Sequence, residues 1–200
     1  MAIPYYIQED TVSGQADGST SGINDILQGM HRITILCKSC QYTSSSFEPF
    51  NILSLSPMST KKSNIKDLLK YFFEEVDIGY TCPVCNKQDS SIQKYEIEKL
   101  PQVLIIHLKR FDVNNEGISK IQQCVDFPLK NLKLGENEYL YNLSGITNHY
   151  GTLSTGHYTS FCKSRSNGDW YKCNDSIITR MSASVKSSAA YMLYYELSHN

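Results

Sequence analysis

Two stretches, HRITILCKSCQY at residues 31–42 and GYTCPVCN at residues 79–86, decide how this chain folds. The first alternates apolar and polar side chains like a strand on both sides of a tight Cys37-x-x-Cys40 turn, and the second repeats the turn as Cys82-x-x-Cys85 around Pro83. Two such turns offer four thiolates, the ligand set of a closed tetrahedral zinc site. Residues 41–81 separate them, a gap that is allowed if the turns tip neighbouring hairpins. The residues alone also admit a redox CxxC or four ordinary buried cysteines, but a doubled CxxC is far rarer by chance than a single one. A structural Zn2+ on Cys37, Cys40, Cys82 and Cys85 has no open coordination position, so it stabilises the fold and takes no part in chemistry.

Outward from these turns, residues 1–22 are rich in Gly, Ser, Thr and Asp without sustained periodicity and read as a flexible leader. In SNIKDLLKYFFEEV, residues 63–76, Ile65, Leu68, Leu69, Phe72 and Phe73 recur at helical spacing, with Ser63 or Asn64 available as the N-cap. This is the one clear helix. Strand-type runs flank Pro101 in KYEIEKLPQVLIIHLKRFDV. The second half is a series of short aromatic and β-branched runs broken by Gly, Asn and Ser. No segment repeats at a fixed period, and the pattern predicts an α+β fold dominated by a mainly antiparallel sheet.

The 200 residues and a formal net charge of −1 describe one domain, or one lobe of a larger one, without a field that would gather nucleic acid or acidic lipid. The longest apolar run, Val103–Ile106 and then Leu108, is too short to cross a bilayer, and MAIPYYIQED lacks the basic start and apolar stretch of a signal peptide. Seven cysteines, four of them paired for a metal, fit a reducing compartment. A soluble intracellular chain, cytoplasmic or nuclear, is expected.

In STGHYTSFCK, residues 154–163, a glycine precedes His157 at the head of a strand, and WYKCNDS, residues 170–176, places Asn174 seventeen positions further on. If the two segments are adjacent strands, the Asn174 amide can hold one ring nitrogen of His157 and leave the other to act as a base, two thirds of a Cys-His-Asn arrangement. A histidine after a glycine is by itself more often structural than catalytic.

Together LPQVLIIHLKRF, NHYGTLSTGHYTSFCK and WYKCNDS, in that order and downstream of the doubled CxxC, resemble the ubiquitin-specific proteases over residues 28–197. The resemblance implies a papain-like domain of thumb, palm and fingers that cleaves the isopeptide bond after the Gly-Gly end of ubiquitin. Residues 23–198 then form a partial catalytic domain, with zinc-tipped fingers over about 28–100 and a palm over about 101–198. His157 matches the catalytic base, Asn174 its orienting partner, and Asp175 a position near the oxyanion. Gly156 and Tyr158 lie where the ubiquitin tail must pass. Residues 151–156 and 112–120 look like two mobile loops that close over that tail.

The departure from the family is its thumb. The resemblance calls for an Asn-x-x-Cys nucleophile box followed by a Gln-Gln-Asp box, and neither occurs in residues 1–36, which contain no cysteine. Strand alternation turns Cys162 and Cys173 away from His157, and Cys124 has no base near it. His107 is read as hydrogen-bonded in the core and His149 as structural. Lys109 and Arg110 are read as surface or acidic-partner contacts, and His31 and His199 as solvated. The expectations are therefore two: part of a cysteine deubiquitinase, inactive alone, whose nucleophile lies outside these residues, or a catalytically dead module that binds ubiquitin or ubiquitinated proteins.

Overall fold

The computed structural model describes residues 22–57, 63–88, 91–114, 117–134, 139–182 and 184–198. The stretch 1–21 of the expected leader and His199 lie outside the described residues. In chain order the elements are α1 (Gly22–Leu27), β1 (Gly29–Cys37), β2 (Thr43–Phe50), β3 (Ile52–Leu55), β4 (Ser63–Asn64), α2 (Ile65–Phe72), β5 (Val76–Ile78), β6 (Ser91–Lys99), β7 (Val103–Leu108), β8 (Phe111–Asn114), β9 (Gly117–Lys120), β10 (Val125–Asp126), β11 (Leu132–Lys133), β12 (Leu140–Gly151), β13 (Gly156–Lys163), β14 (Trp170–Asn174), β15 (Ile177–Arg180) and β16 (Ala190–Leu197). The α+β expectation holds: most pairings are antiparallel, the exceptions among the described residues being β3 with β7 and β10 with β4.

Two sheets carry the architecture. A four-stranded antiparallel sheet runs β2-β1-β6-β5, with both CxxC turns at one end of it. The larger sheet runs β15-β14-β13-β12-β16-β7-β3, with β11 added beside β12. Alternation along β7 buries Leu104, Ile106 and Leu108, and these join Leu53 and Leu55 of β3, Ile146 of β12 and Leu193 and Tyr195 of β16 in one core. Thus β3 and α2, although they fall in the 28–100 stretch, complete the core of the large sheet.

The expected helix forms over a shorter span. The Asn64 side chain accepts from the Asp67 N–H at 2.9 Å, capping α2 as read, and Ile65, Leu68 and Leu69 are its buried stripe. It stops at Phe72, leaving Val76 to enter β5. A second helix, α1, gave no sequence signal because it has six residues and buries none of them, so no apolar period marks it.

Two residues read as solvated or surface groups are buried. His31 is 7% exposed and stacks on Phe50 with ring centroids 4.1 Å apart, because its position in β1 faces α2 rather than water. Arg110 is 1% exposed: its side chain folds inward, Nε donating to the Ala190 carbonyl at 2.6 Å and Nη1 to the carbonyls of Ile121 and Gln123 at 2.9 Å each. Lys109, its neighbour, is exposed as expected. His107 is half-buried, with Nδ1 3.3 Å from Ser54 Oγ. No helix among the described residues is long and apolar enough to cross a membrane.

Candidate active site and metal centre

At the tip of the smaller sheet the two CxxC turns are built alike. The amide of Gln41 donates to the Cys37 carbonyl and that of Asn86 to the Cys82 carbonyl, both at 2.9 Å. The turns close through Cys37 N–H to Tyr42 at 2.9 Å and Cys82 N–H to Lys87 at 3.0 Å. Gln41 and Asn86, each just after the second cysteine, take left-handed backbones with φ of 62° and 55°. The four sulfurs lie within 4.8 Å of one another, Cys37 to Cys85 at 3.7 Å and Cys40 to Cys82 at 3.6 Å. Zinc–sulfur bonds of about 2.3 Å at tetrahedral angles separate sulfurs by about 3.8 Å, so these residues fit the ion. A backbone N–H from Cys85 points at the Cys82 sulfur and lowers the pKa of its thiol.

The second candidate forms where β13 and β14 pair antiparallel, Ser160 opposite Cys173 and Phe161 opposite Lys172. The adjacency on which the Cys-His-Asn reading depends is therefore present. His157 Nε2 lies 2.6 Å from Asn174 Oδ1. A carbonyl oxygen only accepts, so Nε2 carries the proton, and the lone pair of a neutral ring is on Nδ1. Asp175 follows in the β14–β15 turn with φ of 50°, and its Oδ2 stands 3.9 Å from the same Nε2. It flanks the orienting side of the ring. Half of the His157 side chain is exposed.

Register separates the remaining groups by face. His157, Thr159 and Phe161 share one face of β13. Gly156, Tyr158, Ser160 and Cys162 belong to the other, where Cys173 stands opposite Ser160. Cys162 and Cys173 thus face away from the His157 ring, as their odd offsets indicate, and Cys124 is exposed beyond the β8–β9 hairpin.

Gly156 and Tyr158 come together with His149 rather than with His157. The Tyr158 ring packs against His149 at 4.7 Å, and a Cβ built on Gly156 would come within 2.3 Å of His149 Nε2. The need for glycine at 156 is therefore set by the chain's own imidazole. His149 is 4% exposed and has its pKa lowered, first by burial and then by the Lys120 charge. Phe111 and Tyr191 complete this aromatic cluster.

Of the two segments expected to be loops, the described residues fall mostly in hairpins. Residues 112–120 contain most of the β8–β9 hairpin. Residues 152–155 close the β12–β13 hairpin, with the Thr152 amide donating to the Thr155 carbonyl at 2.7 Å and the Thr152 hydroxyl at 3.2 Å from that oxygen. A cleft of about 360 Å³ between the two is lined by Phe111, Lys120, Thr152, Leu153 and Ser154. Lys120 was not distinguished by the sequence: a lone lysine ending a short polar run carries no local mark of the three bonds it makes.

Residues 6–195 match the family model for ubiquitin carboxyl-terminal hydrolases. Ubiquitin carboxyl-terminal hydrolase 2 of Gallus gallus is 39% identical over 191 residues, covering 88% of this chain and 53% of its own length. The Homo sapiens protein of the same name is 38% identical, with 88% and 31% covered. The chain thus spans about half the length of the first relative and about a third of the second. It is also similar to a chain of the solved SAGA DUB module containing Ubp8 bound to monoubiquitin, with a TM-score of 0.78, 32% identity, and 88% of this chain and 42% of that one covered.

Proposed function

The chain belongs to the ubiquitin carboxyl-terminal hydrolase family, as a ubiquitin-specific protease, and from that premise we propose that residues 23–198 are the fingers and palm of a cysteine deubiquitinase acting on ubiquitin conjugates. The observation that carries this reading is the 2.6 Å contact between His157 Nε2 and Asn174 Oδ1, which leaves Nδ1 as the proton acceptor. In this role Nδ1 takes the proton of a cysteine thiol, and the thiolate attacks the carbonyl carbon of the ubiquitin C-terminal glycine. The resulting imidazolium protonates the departing amine. Neutral His157 then activates the water that hydrolyses the thioester. Asn174 holds the ring plane, and Asp175, next along, serves the position near the oxyanion.

The thiol itself is not supplied by residues 1–200. Four of the seven cysteines converge on the metal centre, Cys162 and Cys173 face away from His157, and Cys124 lies outside the pair. The nucleophile comes from a segment outside these residues or from a second polypeptide. Gly156 and Tyr158 border the passage for the ubiquitin tail. Cys37, Cys40, Cys82 and Cys85 hold one structural Zn2+, which fixes the tips of the two hairpins.

The absence of a thiol on the His157 face also favours a second reading, a module that binds ubiquitin without cleaving it. Hydrolysis of a fluorogenic amide at the ubiquitin C-terminus separates the two. The chain alone gives no turnover under either reading. Under the first, adding a segment that carries an Asn-x-x-Cys box produces activity that His157→Ala removes. Binding without turnover in the presence of that segment supports the second reading, and neither binding nor turnover excludes both.

A further inference from the structure

The end of β12 is gripped from outside its own hairpin. Lys120, the last residue of β9, directs Nζ to three acceptors: Nδ1 of His149 at 3.0 Å, the His149 carbonyl at 2.8 Å and the Gly151 carbonyl at 3.0 Å. These use all three N–H groups of the ammonium. An Nδ1 that accepts is bare, so the proton of the neutral His149 ring is on Nε2, the atom lying against Gly156. Burial and the nearby Arg110 charge both lower the Lys120 pKa from its ordinary 10.5, and Phe111, Tyr158 and Tyr191 enclose the His149 ring.

Lys120 is itself held in place. The amide of Ile121, the next residue, donates to the Arg110 carbonyl at 2.6 Å, and the Arg110 guanidinium returns bonds to the carbonyls of Ile121 and Gln123. A continuous path runs from buried Arg110 through residues 121–123 to Lys120. From there it reaches His149 and Gly151, and hence Gly156 and His157, which pair with Gly151 and Tyr150. Gly151 takes φ of 98°, and a Cβ there would come within 2.5 Å of the Thr155 carbonyl, so the loop has little freedom to reach this register another way.

We propose that Lys120 is a positioning residue that locks the β8–β9 hairpin to the 151–156 turn, so that the two walls of the ubiquitin-tail passage move as one body rather than as independent lids. The part of this inference that concerns the tail rests on the function proposed above. The lock itself does not.

The test uses the whole zinc-loaded chain with Lys120→Met, which keeps the stem and removes the charge, and Lys120→Arg, which keeps the charge. Imidazole ¹⁵N shifts report the His149 tautomer, and amide exchange reports residues 151–156. Binding is measured with ubiquitin and with ubiquitin lacking its last two glycines. The expected result for Lys120→Met is loss of the single Nε2–H signature at His149 and amide exchange faster by about tenfold or more, as loss of charge-assisted bonds implies. The affinity advantage of intact over truncated ubiquitin falls with it, while Lys120→Arg retains part of all three. Unchanged His149 shifts and exchange in Lys120→Met overturn the lock. Altered shifts with an unchanged tail-dependent advantage overturn the link to the passage. If the unsubstituted chain binds neither ubiquitin, the function reading fails, and the imidazole and exchange measurements still decide the lock.

Discussion

Acidification attacks the junction of the smaller sheet and α2 at one side chain. His31 is packed among Phe50, Phe72 and Tyr95, with no partner for Nδ1 among the described residues, and burial lowers its pKa from 6.5 to about 4. The folded state thus favours the neutral ring. Between pH 6.5 and 4 the unfolded chain binds more protons, so this contribution to stability is fully present above pH 6.5 and lost as pH falls to about 4. A displacement of this size corresponds to about 3 kcal/mol. Urea unfolding followed at Trp170, at pH 7.5, 6, 5 and 4.5, measures it. Acid also protonates carboxylates and metal thiolates, so the comparison is with His31→Phe, which retains the stack on Phe50 and removes the titration. Between pH 7.5 and 4.5 the parent should lose about 2.5 kcal/mol more than His31→Phe. Parallel pH profiles for the two proteins would falsify the assignment of His31 as a buried neutral group.

Purified chain should contain one zinc, and changing any of Cys37, Cys40, Cys82 or Cys85 to Ser should abolish stoichiometric binding and loosen the smaller sheet; metal analysis with circular dichroism reads both. The Arg110→Leu variant strips partners from three carbonyls and should cost about 2–4 kcal/mol in denaturant unfolding, allowing for relief of the buried charge. In Gly156→Ala the new methyl meets His149 Nε2 and the Tyr150 carbonyl, at 2.3 and 2.7 Å before relaxation. The expected cost is about 1–3 kcal/mol, with displaced His149 and Tyr158 resonances. Charged substitution of Tyr158 should weaken ubiquitin binding in an NMR titration while the unfolding midpoint stays near the parent's, because the side chain is 54% exposed.

Local chemistry was legible in the sequence where spacing alone brings groups together. Each CxxC turn is a contiguous segment, and their convergence needs only that two neighbouring hairpins share a sheet end. The His157–Asn174 contact follows once two short strands either side of a turn are recognised. What escaped reading depends on contacts distant in the chain. Arg110 looks like a surface residue until the carbonyl of Ala190, eighty positions away, is beside it. Lys120 owes its role to acceptors near residue 150, and His31 owes its burial to α2. Nothing in GHYTS reveals the second demand on Gly156, that a Cβ there would come within 2.3 Å of His149 Nε2.

Reaction with a ubiquitin derivative bearing an electrophilic C-terminus, followed by mass spectrometry, tests the central claim that His157 and Asn174 serve a thiol outside this chain. Losing the nucleophile from a unit of this kind costs on the order of 10⁶ in turnover, so the zinc-loaded chain alone should remain unmodified. With a segment carrying an Asn-x-x-Cys box added, the adduct should form on that segment's cysteine and disappear with His157→Ala. Modification of Cys124, Cys162 or Cys173 in the chain alone, abolished by His157→Ala, would contradict the account and show that one of these thiols reaches the base.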